Sequence, residues 1–150
     1  MIIEAHQVIE EFIQNMRITR SVQTGFLNVP VTNMLAGIGD VVVITEATFD
    51  PFEDNENVTI LNSSFTSTAY SFKNKFGILD VCVFGHTTDV MDFRDTLCAW
   101  TPVVRKNGVM VFLNSEDEEI QKVITDYVSQ IDPEYFEVTN CADITFIKVK

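Results

Sequence analysis

The residues best equipped for chemistry gather where apolar runs end. His86 follows the run Asp80 to Phe84, inside the turn Gly85-His86-Thr87-Thr88. An imidazole titrates near neutral pH, so His86 could serve as a general base, or it could be a loop histidine bonded to backbone. Glu46 stands just after DVVVIT, residues Asp40 to Thr45. A carboxylate there can accept two hydrogen bonds at once, or it is one more surface acid. Asn62 and Ser63 follow VTIL, residues Val58 to Leu61, and suit either ligand binding or a turn. Gly25 and Gly85 stand in turns that follow such runs. Cys82, Cys98 and Cys141 lie far apart with no CxxC pair, and read as buried free thiols in a reducing, cytoplasmic compartment rather than as metal ligands.

The surrounding pattern supplies elements to hold these groups. Ile2 to Met16 is amphipathic and predicts a helix, with His6 a surface or cap residue. Thr19 to Gln23 predicts a strand, and Asn28 is placed to cap a short helix from Pro30 to Ile38. The runs at Asp40 to Thr45, Val58 to Leu61, Asp80 to Phe84 and Val109 to Leu113 are too short for helices and apolar on both faces, as in a covered parallel sheet. Between them, Thr66 to Lys75 predicts a short helix or an irregular crossover. Val90, Phe93, Leu97, Trp100 and Val104 recur at helical steps, with Lys106-Asn107-Gly108 as the expected stop. Ser115 to Glu118 predicts a capping box for a helix whose buried face runs from Ile120 to Ile131. Phe136 to Thr139 and Ile144 to Val149 predict a final hairpin. The acidic stretch Thr48 to Asn57 lacks the spacing of an EF-hand and reads as a solvated loop.

The chain has 150 residues, 46% of them apolar, which suits one domain with a full core. No apolar run reaches the length of a membrane span, and Glu4, Glu10 and Glu11 argue against a secretory signal. The formal charge of −12 disfavours direct binding to nucleic acid or an anionic membrane; it favours solubility, a partner with a basic surface, or a surface that mimics nucleic acid.

The stretch Phe76 to Leu113 resembles the second half of a class I S-adenosylmethionine (SAM) methyltransferase of the small-molecule O-methyltransferase type. The residues that match are Asp80, Gly85, His86, Asp95, Trp100, Lys106 and Gly108. The order of the other elements is similar over nearly the whole chain. The resemblance implies an α/β, Rossmann-like fold: a mostly parallel seven-stranded sheet with a reversed C-terminal hairpin. It also implies SAM as cofactor, with the Gly25 loop at its methionine end, Glu46 on the ribose hydroxyls, Asn62 and Ser63 near adenine, Gly85 beside it and His86 near the transferred methyl. The chain departs from the family in places. Gln23-Thr24-Gly25-Phe26-Leu27-Asn28-Val29 keeps one glycine of the glycine-rich motif and has Gln23 for its acid. Phe84 and Leu113-Asn114 stand where metal-dependent members carry their ligands, so no metal is expected.

Two functions follow. One is methyl transfer to a small-molecule or macromolecular acceptor without metal, which needs positioning more than acid–base machinery. The other is a catalytically inactive scaffold that acts as an acidic protein-binding or inhibitory module, of a compact kind that would suit a virus. A pocket for a different nucleotide, used as a sensor, is a third and weaker possibility.

Overall fold

A computed structural model describes residues 4–24, 28–45, 55–63, 65–85, 90–113, 117–130, 133–141 and 143–150. In chain order the elements are α1 (Ala5–Ile13), β1 (Arg20–Thr24), α2 (Val29–Ala36), β2 (Asp40–Ile44), β3 (Val58–Leu61), α3 (Phe65–Phe76), β4 (Leu79–Phe84), α4 (Val90–Trp100), β5 (Val104–Phe112), α5 (Glu118–Ser129), β6 (Phe136–Cys141) and β7 (Ile144–Val149). The seven strands form one sheet in the order β3-β2-β1-β4-β5-β7-β6. The first five are parallel; β7 runs antiparallel to β5, and β6 antiparallel to β7. This is the class I methyltransferase fold, as the sequence implied.

Alternation along the strands sends side chains to two cores. Val22, Ile44, Cys82, Phe84, Met110 and Phe112 face the layer of α3, α4 and α5, where Phe72, Leu97 and Trp100 are also fully buried or nearly so. Val41, Val43, Val81, Val83 and Phe146 face α1 and α2. The Phe12 ring stacks on Phe146 at 3.9 Å and fixes α1 to β7. Strand β4 is buried along its whole length, which is why its sequence is continuously apolar after Asp80.

Helix α1 is shorter than Ile2 to Met16; its first turn starts at Glu4, whose N–H donates to Gln7 Oε1 at 3.1 Å. The expected cap of α2 is present: Asn28 Oδ1 accepts from Val31 N–H at 3.1 Å. The largest correction falls between α4 and β5. The helix stops at Trp100, because Pro102 lacks an amide hydrogen and turns the chain into a 3₁₀ segment over Thr101–Val103. Val104 is therefore in a strand. Lys106-Asn107-Gly108 does not end a helix but forms an irregularity within β5, where the register passes from Leu79↔Val104 to Val81↔Val109. The positive φ falls on Asn107, at 69°, not on the glycine. Gly108 is needed for space: a Cβ there would lie 2.8 Å from Asp80 O and 2.9 Å from Arg105 O. Helix α5 is capped by Asp117, whose Oδ1 accepts from Glu119 N–H at 2.9 Å, rather than by Ser115, which lies outside the described residues. Of the three thiols only Cys82 is buried. Cys98 and Cys141 are exposed, one on the outer side of α4 and the other at the end of edge strand β6.

Candidate functional site

The strand order reverses between β1 and β4, and it is at the carboxyl ends of such a switch point that open α/β sheets place a ligand crevice. Gly85 continues β4 there, buried, with its N–H donated to Thr24 O at 2.7 Å. Beneath the crevice lies Gln23, which is 1% exposed. Its Oε1 accepts from Thr32 Oγ1, in the first turns of α2. Thr32 has one hydroxyl proton and two acceptors, Gln23 Oε1 and the Asn28 carbonyl at 3.1 Å, while Gln23 Nε2 has no partner among the described residues. A half-turn of the amide resolves both mismatches. Gln23 Nε2 then donates to Thr32, Thr32 donates to Asn28, and Gln23 Oε1 becomes a spare acceptor.

On the β3 side, Leu61, Asn62 and Ser63 continue into a groove of about 380 Å³ that runs along α3 past Thr68, Ser71 and Phe72 to Lys75 and Phe76. Ser63 Oγ and Thr68 Oγ1 share a 2.5 Å hydrogen bond that ties the strand end to α3. Hydroxyls of Ser63, Thr68 and Ser71, the Asn62 amide and the Lys75 ammonium line it together with Leu61, Phe72 and Phe76. Of the residues singled out in the sequence, Asn62 and Ser63 thus share one groove, and Gly85 lies at the mouth of the neighbouring crevice. Gly25, Glu46 and His86 lie outside the described residues.

Phe84 is the residue that the resemblance sets at a ligand position of metal-dependent members. Its ring is 2% exposed, stacks on Phe112 at 4.8 Å and meets Phe93 edge-on at 6.2 Å. This position belongs to the core and offers no ligand atom. Among the described residues no cluster of three His, Cys, Asp or Glu is placed to hold a metal. Burial also pushes the Cys82 thiol far above its ordinary pKa, so it stays protonated and inert.

Sequence reading missed two features. The Gln23–Thr32 pair was signalled by a polar residue inside an otherwise buried strand, but its partner could not be read off. The other is Asp80, at the opposite end of the sheet. Its Oδ2 accepts from Thr19 N–H at 2.6 Å and Arg20 N–H at 3.0 Å, and its Oδ1 pairs with Arg105 Nε. Burial is the largest influence and pushes its pKa up, but the Arg20 and Thr19 amides and the Arg105 guanidinium outweigh it and hold the carboxyl below its ordinary range. Asp80 matched the family pattern, and it acts as a structural staple far from the crevice.

Solved structures share this architecture. One is a candidate methyltransferase from Streptococcus mutans in complex with SAH (S-adenosylhomocysteine), 12% identical, with a TM-score of 0.76 and 100% of both chains covered. Another is an rRNA methylase from Streptococcus thermophilus, 12% identical, with a TM-score of 0.75, covering 99% of this chain and 98% of that one. The MycE methyltransferase of the mycinamycin biosynthetic pathway, in complex with Mg and SAH, is 13% identical with a TM-score of 0.69; the match covers 96% of this chain but 46% of MycE. At these identities the likeness establishes the fold. No family model and no curated relative matches the sequence. Among the described residues no helix is long and apolar enough to cross a membrane.

Proposed function

We propose that this chain binds SAM at the carboxyl ends of β1 to β4 and transfers its methyl group without a metal. The observation that carries this reading is the crevice between β1 and β4 and the polar groove beside it: a fold whose solved examples hold SAH, with a slot of about 380 Å³ at the β3 end. Bound SAM supplies an electrophilic methyl on a sulfonium. Asn62 and Ser63 would meet the adenine edge. Glu46, assigned from the sequence, would hold the ribose, and the Gly25 loop and Gly85 would border the methionine end. The spare acceptor of Gln23 replaces the acid usual in that motif and offers a neutral oxygen in its place. His86 would face the acceptor. The free thiols suit a reducing, cytoplasmic setting.

The test is thermal unfolding with SAM and with SAH. Ligand that binds only the folded state, at about a hundred times its dissociation constant, adds roughly 2.7 kcal/mol. A melting shift that disappears in Glu46→Ala supports the assignment; no shift at millimolar ligand overturns it.

One observation favours a second reading. Gln23 engages Thr32 inside the fold, so the position of the family's acid is partly spent on structure. A chain that has lost SAM would keep the fold as a scaffold, its acidic exterior meeting a partner with a basic surface. It would give no SAM response and would bind that partner in a salt-sensitive manner.

A further inference from the structure

The chain carries 10 cationic side chains against 22 acidic ones, yet the cations are not spread evenly. Six stand together at the amino ends of the parallel strands: Arg17 and Arg20 at β1, Lys73 and Lys75 in the last turn of α3, and Arg105 and Lys106 at the irregularity of β5. Five of them make contacts in two groups. Arg105 Nη2 donates to Arg17 O at 3.2 Å and Nη1 to Lys106 O at 3.0 Å. The Arg20 guanidinium lies over the Phe76 ring at 6.0 Å, and Lys75 Nζ lies over the same ring at 5.3 Å. At Gly77 the chain takes φ of +86° to turn from α3 into β4, and this leaves Arg20 Nη1 just 3.6 Å from where a Cβ would stand. Next to that turn Ile78 is 50% exposed. Among the described residues two carboxylates stand by these cations: Asp80, already engaged by backbone and Arg105, and the exposed Asp40, beside Arg20 in the register of β1 and β2. Glu137 lies farther out, on edge strand β6.

We propose that this face, with Arg17, Lys73, Lys75 and Lys106 exposed around Ile78 and Phe76, is a docking surface for an acidic, partly apolar segment of a partner protein. Charge complementarity selects the sign of the occupant: an isolated positive field on a molecule of net charge −12 attracts an anion locally while the rest of the surface repels it. That balance favours a short segment over a long polyphosphate, whose flanks would meet the acidic surface. The exposed Ile78 and the half-buried Phe76 ring give apolar side chains of such a segment a seat that phosphates would not use. Lys75 and Phe76 also close the far end of the groove along α3, but peptide binding is measured without SAM, so failure of this proposal and failure of methyl transfer are distinguishable.

Fluorescence anisotropy on the full chain tests it with three labelled probes. These are a peptide alternating Asp or Glu with Leu or Phe, the same peptide with Ser at every apolar position, and a single-stranded RNA of equal charge. The expected result is binding of the first peptide at least tenfold tighter than of the other two, weakened at least tenfold in Lys73→Glu/Lys75→Glu and by raised salt. Arg94→Glu, an exposed change on α4, should leave binding unaltered. Melting curves confirm that the variants fold. Equal binding of the serine peptide or the RNA, or indifference to the double charge reversal, overturns the proposal. So does sedimentation showing that Lys73→Glu/Lys75→Glu abolishes a dimer, since the face would then belong to a second copy of this chain.

Discussion

Asp80 and Gln23 are both buried polar residues on adjacent central strands, one at the amino end of β4 and the other near the carboxyl end of β1. Asp80 is satisfied on both oxygens by three partners from two segments, the start of β1 and β5. Gln23 finds one partner, Thr32, and keeps an amide atom spare. The contrast separates two uses of buried polarity. A closed network holds elements in place, because opening any member strands a desolvated group. An open one leaves an atom for something that arrives after folding. At the amino end the buried polar groups close on one another, and near the carboxyl end one buried amide atom is left open.

The sharpest way to break this comparison is Asp80→Ala. It leaves Arg105 and two amides without their acceptor, and should cost about 3 kcal/mol in urea unfolding at neutral pH. The effect has a pH signature. The folded pKa lies below the unfolded one, so ionised Asp80 contributes stability above the unfolded value of about 3.9. That contribution is lost as pH falls through the folded value, and there the stabilities of wild type and Asp80→Asn should converge. Gly108→Ala attacks the same end by steric means. Its new Cβ would press on backbone oxygens at 2.8 and 2.9 Å, with an expected cost of about 2 kcal/mol by thermal or urea melts. At the carboxyl end the same kind of change should behave differently. Gln23→Leu leaves Thr32 bonded to Asn28 and should shift folding by less than about 1 kcal/mol. If SAM binds, it should still reduce the melting shift that SAM produces. A stability loss there as large as that of Asp80→Ala would erase the distinction. The smallest effect is at Ser21, a buried hydroxyl without a partner among the described residues, between Val41 and Val81. Ser21→Ala should be neutral or stabilise by about 0.5 kcal/mol.

The order of all twelve elements was legible because the chain obeys two simple periods. Continuous apolar runs of four to six residues gave β2, β3 and β4 within a residue of their ends, and β7 at its own ends. The reading failed where a helix handed over to a strand with no polar break. Val104 sits at a helical step from Trp100, so periodicity carried the helix through it; Pro102 was the signal that should have stopped it. Cys98 was expected inside because cysteine usually is, and it faces out because Leu97 and Trp100 already take the inward positions of α4. The candidate site residues were read as strand-end positions, and Asn62, Ser63 and Gly85 stand at such positions. What no local pattern could give was the partner of a buried polar group. Thr32 reaches Gln23 from nine residues on, and Thr19 reaches Asp80 across 61.

That last separation bears on how the molecule is made. Strand β1 lies between β2 and β4, so one of its two neighbours is specified only after the chain has been extended by about sixty residues. A newly made chain can pair β1 with β2 early, while the other edge of β1 waits with its backbone groups open. Closing so long a loop costs entropy before any contact repays it. The β1–β4 seam should therefore form late in synthesis, and the stretch ending at β3 is the interval in which the nascent chain depends most on protection from other open strand edges.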